Sequence, residues 1–205
     1  MTELSGAAGR DVSRETIEQI EHYAALIREE NKRQNLVSRS TLDALWDRHI
    51  IDSAQLVRFQ DRDSASWLDI GSGAGLPGVV IACLVDGPVT LVEPRRLRAD
   101  FLQRCVAELG LGARATVQHA KVERITGRFD SITARAVASA DRILSLSAHL
   151  AHSGTRWVLP KGKTAQSELA EVQRNWQCSA RVEASLTDPQ SAILLLEQVR
   201  AKGKR

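Results

Sequence analysis

Asp69 stands inside a short apolar run, Trp67-Leu68-Asp69-Ile70, which is followed at once by Gly71, Gly73, Gly75 and Gly78. A carboxylate at a strand end beside a glycine loop suits recognition of a small nucleotide-like ligand. Glycine lets the backbone approach a ligand with no Cβ between them and reaches positive φ at little cost. Pro77 fits the first turn of a following helix, where its missing N–H would have been unpaired anyway. The free N–H groups at that helix start are expected to face the loop and favour an anionic group. The stretch thus predicts strand, tight loop and helix, with a ligand site at the carboxyl end of the strand. A second apolar run, Val89-Thr90-Leu91-Val92, ends in Glu93, an acid suited to accepting both hydroxyls of a ribose.

Two cofactor classes compete for this loop. Gly73-x-Gly75-x-x-Gly78 matches the dinucleotide fingerprint and would bring a nicotinamide or flavin. Asp69-x-Gly71-x-Gly73-x-Gly75 resembles motif I of the S-adenosylmethionine-dependent methyltransferases. That resemblance implies an acid near the cofactor's methionine amino group and glycines beside its adenosine. Glu93 suits both classes and does not separate them.

The elements that must position these residues follow from the rest of the chain. With 205 residues, 43% of them apolar, one main core is expected. Ser13 reads as the cap of an amphipathic helix through Ile17, Ile20, Ala24 and Ile27 that ends near Asn31. Residues 1–12 read as a frayed, small polar segment. Ser40-Thr41-Leu42-Asp43 reads as a capping box opening a helix through Leu45, Trp46, His49, Ile50 and Ser53. Residues 1–60 are therefore expected to form a helical extension to a Rossmann-like domain over residues 61–205. A helix from Arg95 to Leu109 is expected to turn Leu97, Phe101, Leu102 and Cys105 to the sheet. Strands follow at 115–118, 129–135 and 155–159, with helices at 141–151 and 165–175. Two consecutive strands, 180–184 and 192–199, close the chain before its basic run from Arg200 to Arg205. Alternating β and α elements ended by a strand pair read as an α/β, doubly wound sheet with a terminal antiparallel hairpin, which disfavours a dehydrogenase of two mononucleotide halves.

The net charge is only +3, but pI is near 9.0, which permits a polyanionic partner. Arg28, Lys32, Arg33, Arg39, Arg48 and His49 concentrate positive charge on the extension, a pattern of phosphate contact as well as of a solvated face. His49 and Asp52, three apart, read as a polar pair facing the cleft. Cys83, Cys105 and Cys178 are scattered without metal spacing and read as reduced, buried residues. No apolar run approaches a membrane span, and Met1 to Glu15 holds no signal core, so a cytoplasmic protein without membrane attachment is expected.

The order of Asn35-Leu36-Val37-Ser38, Arg48-His49-Ile50-Ile51-Asp52-Ser53, the Asp69–Gly78 loop, Val122-Glu123, Ala134-Arg135-Ala136 and Leu159-Pro160-Lys161-Gly162 resembles one family over nearly the whole chain. It is that of the bacterial 16S ribosomal RNA guanine-N7 methyltransferases, also called glucose-inhibited division protein B. The resemblance implies a class I S-adenosylmethionine-dependent methyltransferase acting as a monomer on the decoding-region loop of the small subunit's RNA. It carries Gly71, Leu76, Val122, Glu123 and Arg135 over as cofactor contacts, joining Asp69, Gly73 and Glu93. Arg135 is the candidate catalytic residue, and His49 and Lys161 are the candidate RNA contacts. Lys121 departs from the arginine of many members, and Trp46 is the candidate for stacking on the base. No metal site is expected. A nicotinamide-dependent oxidoreductase and a non-catalytic RNA-binding assembly factor remain as alternatives.

Overall fold

A computed structural model describes residues 2–203. Short segments of four or five residues make the inner strands: β1 (Trp67–Ile70), β2 (Val89–Val92), β3 (Ala115–Gln118) and β4 (Phe129–Thr133). They are extended by the longer β5 (Ala151–Lys161), β6 (Trp176–Ala184) and β7 (Ala192–Ala201). The seven strands form one sheet in the order β3-β2-β1-β4-β5-β7-β6. β1 to β5 are parallel, and β7 pairs antiparallel with both β5 and β6. Strand order reverses between β1 and β4, and a ligand in such a sheet binds beyond the carboxyl ends at that switch point. Asp69 lies level with Leu91 of β2 and Thr133 of β4, so the three strand ends share one rim.

Alternation along β1 divides the core. Trp67 joins one apolar layer with α5 (Gly78–Leu84) and α6 (Arg96–Glu108), whereas Leu68 and Ile70 join the other with α7 (Ala140–Ser147) and α8 (Ala165–Asn175). The N-terminal helices fill the first layer. α1 (Glu3–Ala8), α2 (Arg14–Glu30), α3 (Arg39–Leu42) and the winding stretch 46–59 precede β1, and their Leu4, Tyr23, Ile27, Leu45 and Ile50 pack with Ile81 and Phe101. Within 46–59 a wide π turn (Trp46–Ile51) gives way to α4 (Asp52–Ala54) and a 3-10 turn (Gln55–Phe59).

Several elements differ from expectation. Residues 3–8 are helical rather than frayed: Thr2 Oγ1 accepts from the Ser5 N–H, Gly9 terminates the turn at φ 67°, and Leu4, Ala7 and Ala8 are buried together. The expected capping box at Ser40 is displaced, because Ser38 occupies the N-cap of α3 and its hydroxyl bonds those of Ser40 and Thr41. Leu97 is 70% exposed instead of facing the sheet. Its turn meets Gln34 and Asn35, whose side chain and backbone bond Leu97 O and Arg98, so it has no sheet to cover. β4 ends at Thr133, which leaves Arg135 in the loop beyond it, and β5 begins at Ala151 rather than Thr155.

All three cysteines are unpaired; burial pushes the thiols of Cys83 and Cys105 up to about 12, and Cys178 is half-buried. Among the described residues no helix is long and apolar enough to cross a membrane, and no trio of His, Cys, Asp or Glu is gathered to hold a metal. Lys204 and Arg205 of the basic C-terminal run lie outside the described residues.

Candidate functional site

The glycine loop is held by two carboxylates. Asp69, 1% exposed at the end of β1, accepts the Gly78 N–H on Oδ2 at 3.1 Å. The first helical N–H is thereby paired with the chain's own carboxylate rather than left for an anion, which corrects the expectation of a free helix start. Gly78 permits this contact, since a Cβ there would stand 2.5 Å from Asp69 Oδ2 and 2.3 Å from Leu91 Cδ2. Glu93, 3% exposed, accepts the Gly73 N–H on Oε2 at 2.9 Å and the Arg95 N–H on Oε1 at 2.8 Å. Gly71 and Gly73 sit at φ 67° and 57°, in the left-handed region where a side chain is strained. From α2, the buried Tyr23 hydroxyl donates to Ala74 O at 2.7 Å and braces the loop from behind. Sequence reasoning passed over Tyr23, although it lies on the apolar face of its helix and a buried phenol needs a partner.

The residues present fit S-adenosylmethionine. Asp69 Oδ1 and Thr133 Oγ1, at paired positions of β1 and β4, are buried without a hydrogen-bond partner. A buried polar atom left unpaired is costly, so two at one strand rim mark where a ligand belongs. Burial pushes the Asp69 carboxyl up to about 6, against the pull of the Gly78 N–H and the Arg135 charge. A cationic ammonium beside Oδ1 would restore its ionised form. Leu76 and Val122 are buried at the loop and just beyond β3, and Glu123 beside Val122 is exposed.

Arg135 lies between this loop and a second space. Its Nη1 donates to His49 Nδ1 at 2.9 Å and lies 3.4 Å from Asp52 Oδ2. Because arginine is always a donor, His49 accepts on Nδ1 and gives its Nε2 proton to Thr41 Oγ1 at 3.0 Å. Burial, then the charges of Arg135 and Arg48, push His49 down to about 4, so its ring is neutral. Asp52 Oδ1 in turn accepts from Gln55 Nε2 at 2.8 Å and Thr187 Oγ1 at 3.0 Å, which ties α4 to the β6–β7 connection. Lys161, with its side chain 8% exposed, donates to Ala138 O and pairs with Glu168 Oε2, each at 2.9 Å. Glu168 also accepts the Ala140 N–H, so this pair anchors the 135–139 loop to α8. Val137 of that loop rests on the glycine loop: a Cβ on Gly71 would meet Val137 Cγ2 at 2.7 Å.

These residues border a cavity of about 480 Å³ whose walls include Asp52, Arg135, Val137, Pro160, Lys161, Ser185 and Ile193. His49, Asp52 and Arg135 therefore meet at one site, as do Asp69, Gly71, Gly73 and Glu93 at the neighbouring one. Trp46 is not brought to the cavity; it packs against the core beside the extension. Gln55 and Thr187 were missed because their roles depend on contacts 130 to 135 residues apart in sequence.

Comparison with known proteins agrees with this geometry. The family model described as rRNA small subunit methyltransferase G matches residues 16–194. Among curated relatives, the ribosomal RNA small subunit methyltransferase G of Zymomonas mobilis is 43% identical, covering 95% of this chain and 91% of its own. That of Rhizorhabdus wittichii is 44% identical and covers 100% and 96%. Solved structures share the fold: an S-adenosylmethionine-dependent methyltransferase from Aquifex aeolicus superposes with a TM-score of 0.59 at 14% identity, over 75% of this chain and 91% of that one. An O-methyltransferase from Thermotoga maritima gives 0.57 at 16%, over 74% and 66%. The class I methyltransferase fold, the acid–glycine–acid site and relatives matched along nearly their full length agree: the chain belongs to the GidB family of rRNA small subunit methyltransferase G and is an S-adenosylmethionine-dependent methyltransferase.

Proposed function

We propose that this enzyme methylates N7 of a guanine in the decoding-region loop of 16S ribosomal RNA. The relatives' name assigns their activity to the RNA of the small ribosomal subunit, and the same substrate is taken here. The observation that carries the chemistry is Arg135, fixed beside a cavity of about 480 Å³ next to the glycine loop by a neutral His49 and by Asp52. Guanine N7 carries an in-plane lone pair and no proton, so its reaction needs alignment and no general base. S-adenosylmethionine held by Asp69, Glu93 and the glycine loop would supply a methyl carbon made electrophilic by its positive sulfur, with the N7 lone pair of the base turned toward it.

In this reading Asp69 holds the cofactor's amino group, Glu93 its ribose hydroxyls, and Gly71, Gly73, Leu76, Val122 and Glu123 the adenosine. Arg135 aligns donor and acceptor. His49 and Lys161 serve RNA binding through the loops they hold: His49 orients Arg135, and Lys161 secures the 135–139 segment through Glu168 and Ala138. Residues 61–205 form the methyltransferase unit and residues 1–60 an extension that meets the RNA, in a cytoplasmic monomer.

Transfer of tritiated methyl from S-adenosylmethionine to small subunits and to protein-free 16S rRNA, followed by nucleoside analysis, tests the reaction. Label in 7-methylguanosine is expected; label in any other nucleoside overturns the assignment.

The extension carries a groove of about 450 Å³ that contains the exposed Arg28, Lys32, Arg33 and Arg39. Phosphate contacts release condensed counterions, so each one adds about 0.7–0.9 to the salt slope of binding. Replacing Arg33 and Arg39 together by glutamate should weaken RNA binding by about 10-fold or more at low salt and flatten its salt dependence. Affinity for S-adenosylhomocysteine should not change. A salt slope equal to the parent's would remove the groove from the RNA interface.

A further inference from the structure

Two walls of the cavity beside Arg135 differ in kind. Val137 forms the wall that rests on Gly71, so this wall adjoins the cofactor loop. Asp52 lines the same space, bonded to Thr187 in the connection between β6 and β7 and 3.4 Å from Arg135 Nη1. A purine that turns N7 toward the glycine loop turns its pyrimidine edge away from it, and Asp52 is the carboxylate of the lining bonded to that connection. Pro160, Ile193 and Val137 give this space apolar walls, which suit the faces of an unstacked base.

Asp52 is prepared as a hydrogen-bond acceptor. Its Oδ1 is filled by Gln55 Nε2 and Thr187 Oγ1. The Gln55 amide is itself oriented, because its Oε1 accepts the Leu186 N–H at 2.8 Å. Oδ2 has one partner, Arg135 Nη1, at the long distance of 3.4 Å. A carboxylate oxygen takes two hydrogen bonds, so Oδ2 keeps capacity facing the cavity, on a side chain 17% exposed. Three fixed contacts and one open acceptor are what a specificity contact requires, since the group does not need to be reordered when the base enters.

We propose that Asp52 is the residue that selects guanine, with Oδ2 accepting a hydrogen bond from the exocyclic N2 amine of the flipped base. Guanine is the one common RNA base with that amine. Adenine offers the same N7 nucleophile but a bare carbon at position 2, which leaves Oδ2 unsatisfied. Arg135 orients the reacting edge, and Asp52 reads the opposite one. The inference rests on the guanine-N7 reading of the reaction.

The test uses small subunits reconstituted on 16S rRNA that carries either guanosine or inosine at the target position. Inosine keeps N7, O6 and N1–H and lacks only the N2 amine. The full-length wild-type enzyme should show kcat/KM about 10- to 100-fold lower on inosine, the range for losing a hydrogen bond to a charged group. Asp52→Asn turns a donor toward the amine. It should lower the guanosine rate to the inosine level and bring the ratio close to 1, with melting temperature and S-adenosylhomocysteine binding near the parent's. A merely structural role would lower both rates together and leave the ratio unchanged, and that result overturns the proposal. Equal wild-type rates on the two substrates overturn it without any variant. If wild-type enzyme makes no 7-methylguanosine on the guanosine subunits, the reaction assignment falls and this inference with it.

Discussion

Arg135→Ala is expected to lower methyl transfer by about 100-fold or more while the protein stays folded. The side chain is 18% exposed and lines the cavity, whereas the neighbouring Ala134 carries the core contact. Its removal frees His49 Nδ1 and Asp52 Oδ2, but each side chain keeps other bonds, His49 to Thr41 and Asp52 to Gln55 and Thr187. Loss of stability should accordingly stay near that of a partly exposed substitution, about 1 kcal/mol. The effect on rate is larger because a misplacement of about 1 Å between reacting groups costs on the order of 10²-fold. Arg135→Lys should rescue little, since one ammonium cannot reproduce the planar guanidinium at His49 and Asp52. His49 supplies a second readout. Burial is the first cause of its low pKa and the Arg135 charge the second, so the alanine variant should titrate His49 at higher pH, visible by NMR. Single-turnover transfer within about threefold of wild type would remove Arg135 from the reaction.

What the sequence disclosed and what it concealed follow from how far each signal reaches along the chain. The Asp69–Gly78 segment was legible because strand, loop and helix are consecutive, and each glycine answers a local demand: positive φ at Gly71 and Gly73, close approach at Gly78. Ser13 was legible as a cap for the same reason, since its partner is three residues away. The helix 3–8 was concealed by its small residues, because its formation depends on burial of Leu4 and Ala7 against distant elements. Lys161 shows the limit most clearly. Its charge and its place at the end of β5 suggested an exposed RNA contact, but Glu168, one turn into the next helix, and Ala138, across the sheet rim, hold it under cover. His49 likewise carried no sign of being neutral until burial and Arg135 were on either side of it. The resemblance assembled His49, Asp52 and Arg135 as motifs, but the bond order among them, and the use of Gln55 and Thr187 to fix Asp52, exist only in the folded chain.

Asp69→Asn is expected to weaken cofactor binding by about 100-fold or more and, at the same time, to stabilise the ligand-free protein at neutral pH. The carboxyl is held at about 6 by burial, against 3.8 for an ordinary aspartate. Between about pH 4 and pH 6 the folded state therefore holds a proton that the unfolded chain has released, so stability falls as pH rises through that window. Above it the penalty is constant at about 3 kcal/mol, an order-of-magnitude figure from the pKa difference. Asparagine carries no charge to desolvate and can still accept the Gly78 N–H, so the variant's melting temperature should vary less from pH 4 to 6 and exceed the wild type's at pH 7.5. Saturating S-adenosylhomocysteine should reverse that order. The ligand's ammonium gives Oδ1 its missing partner in the wild type, and tight binding to the folded state alone raises stability by mass action, whereas the variant gains little. Calorimetric titration and melting curves at the two pH values read both effects. Wild-type affinity in the variant would mean that the ammonium is held elsewhere, and a variant less stable at pH 7.5 would mean that the buried carboxylate carries no penalty. The opposed directions follow from one fact: Asp69 keeps an ionisable oxygen buried without a partner, and the cost of doing so is recovered when the ligand binds.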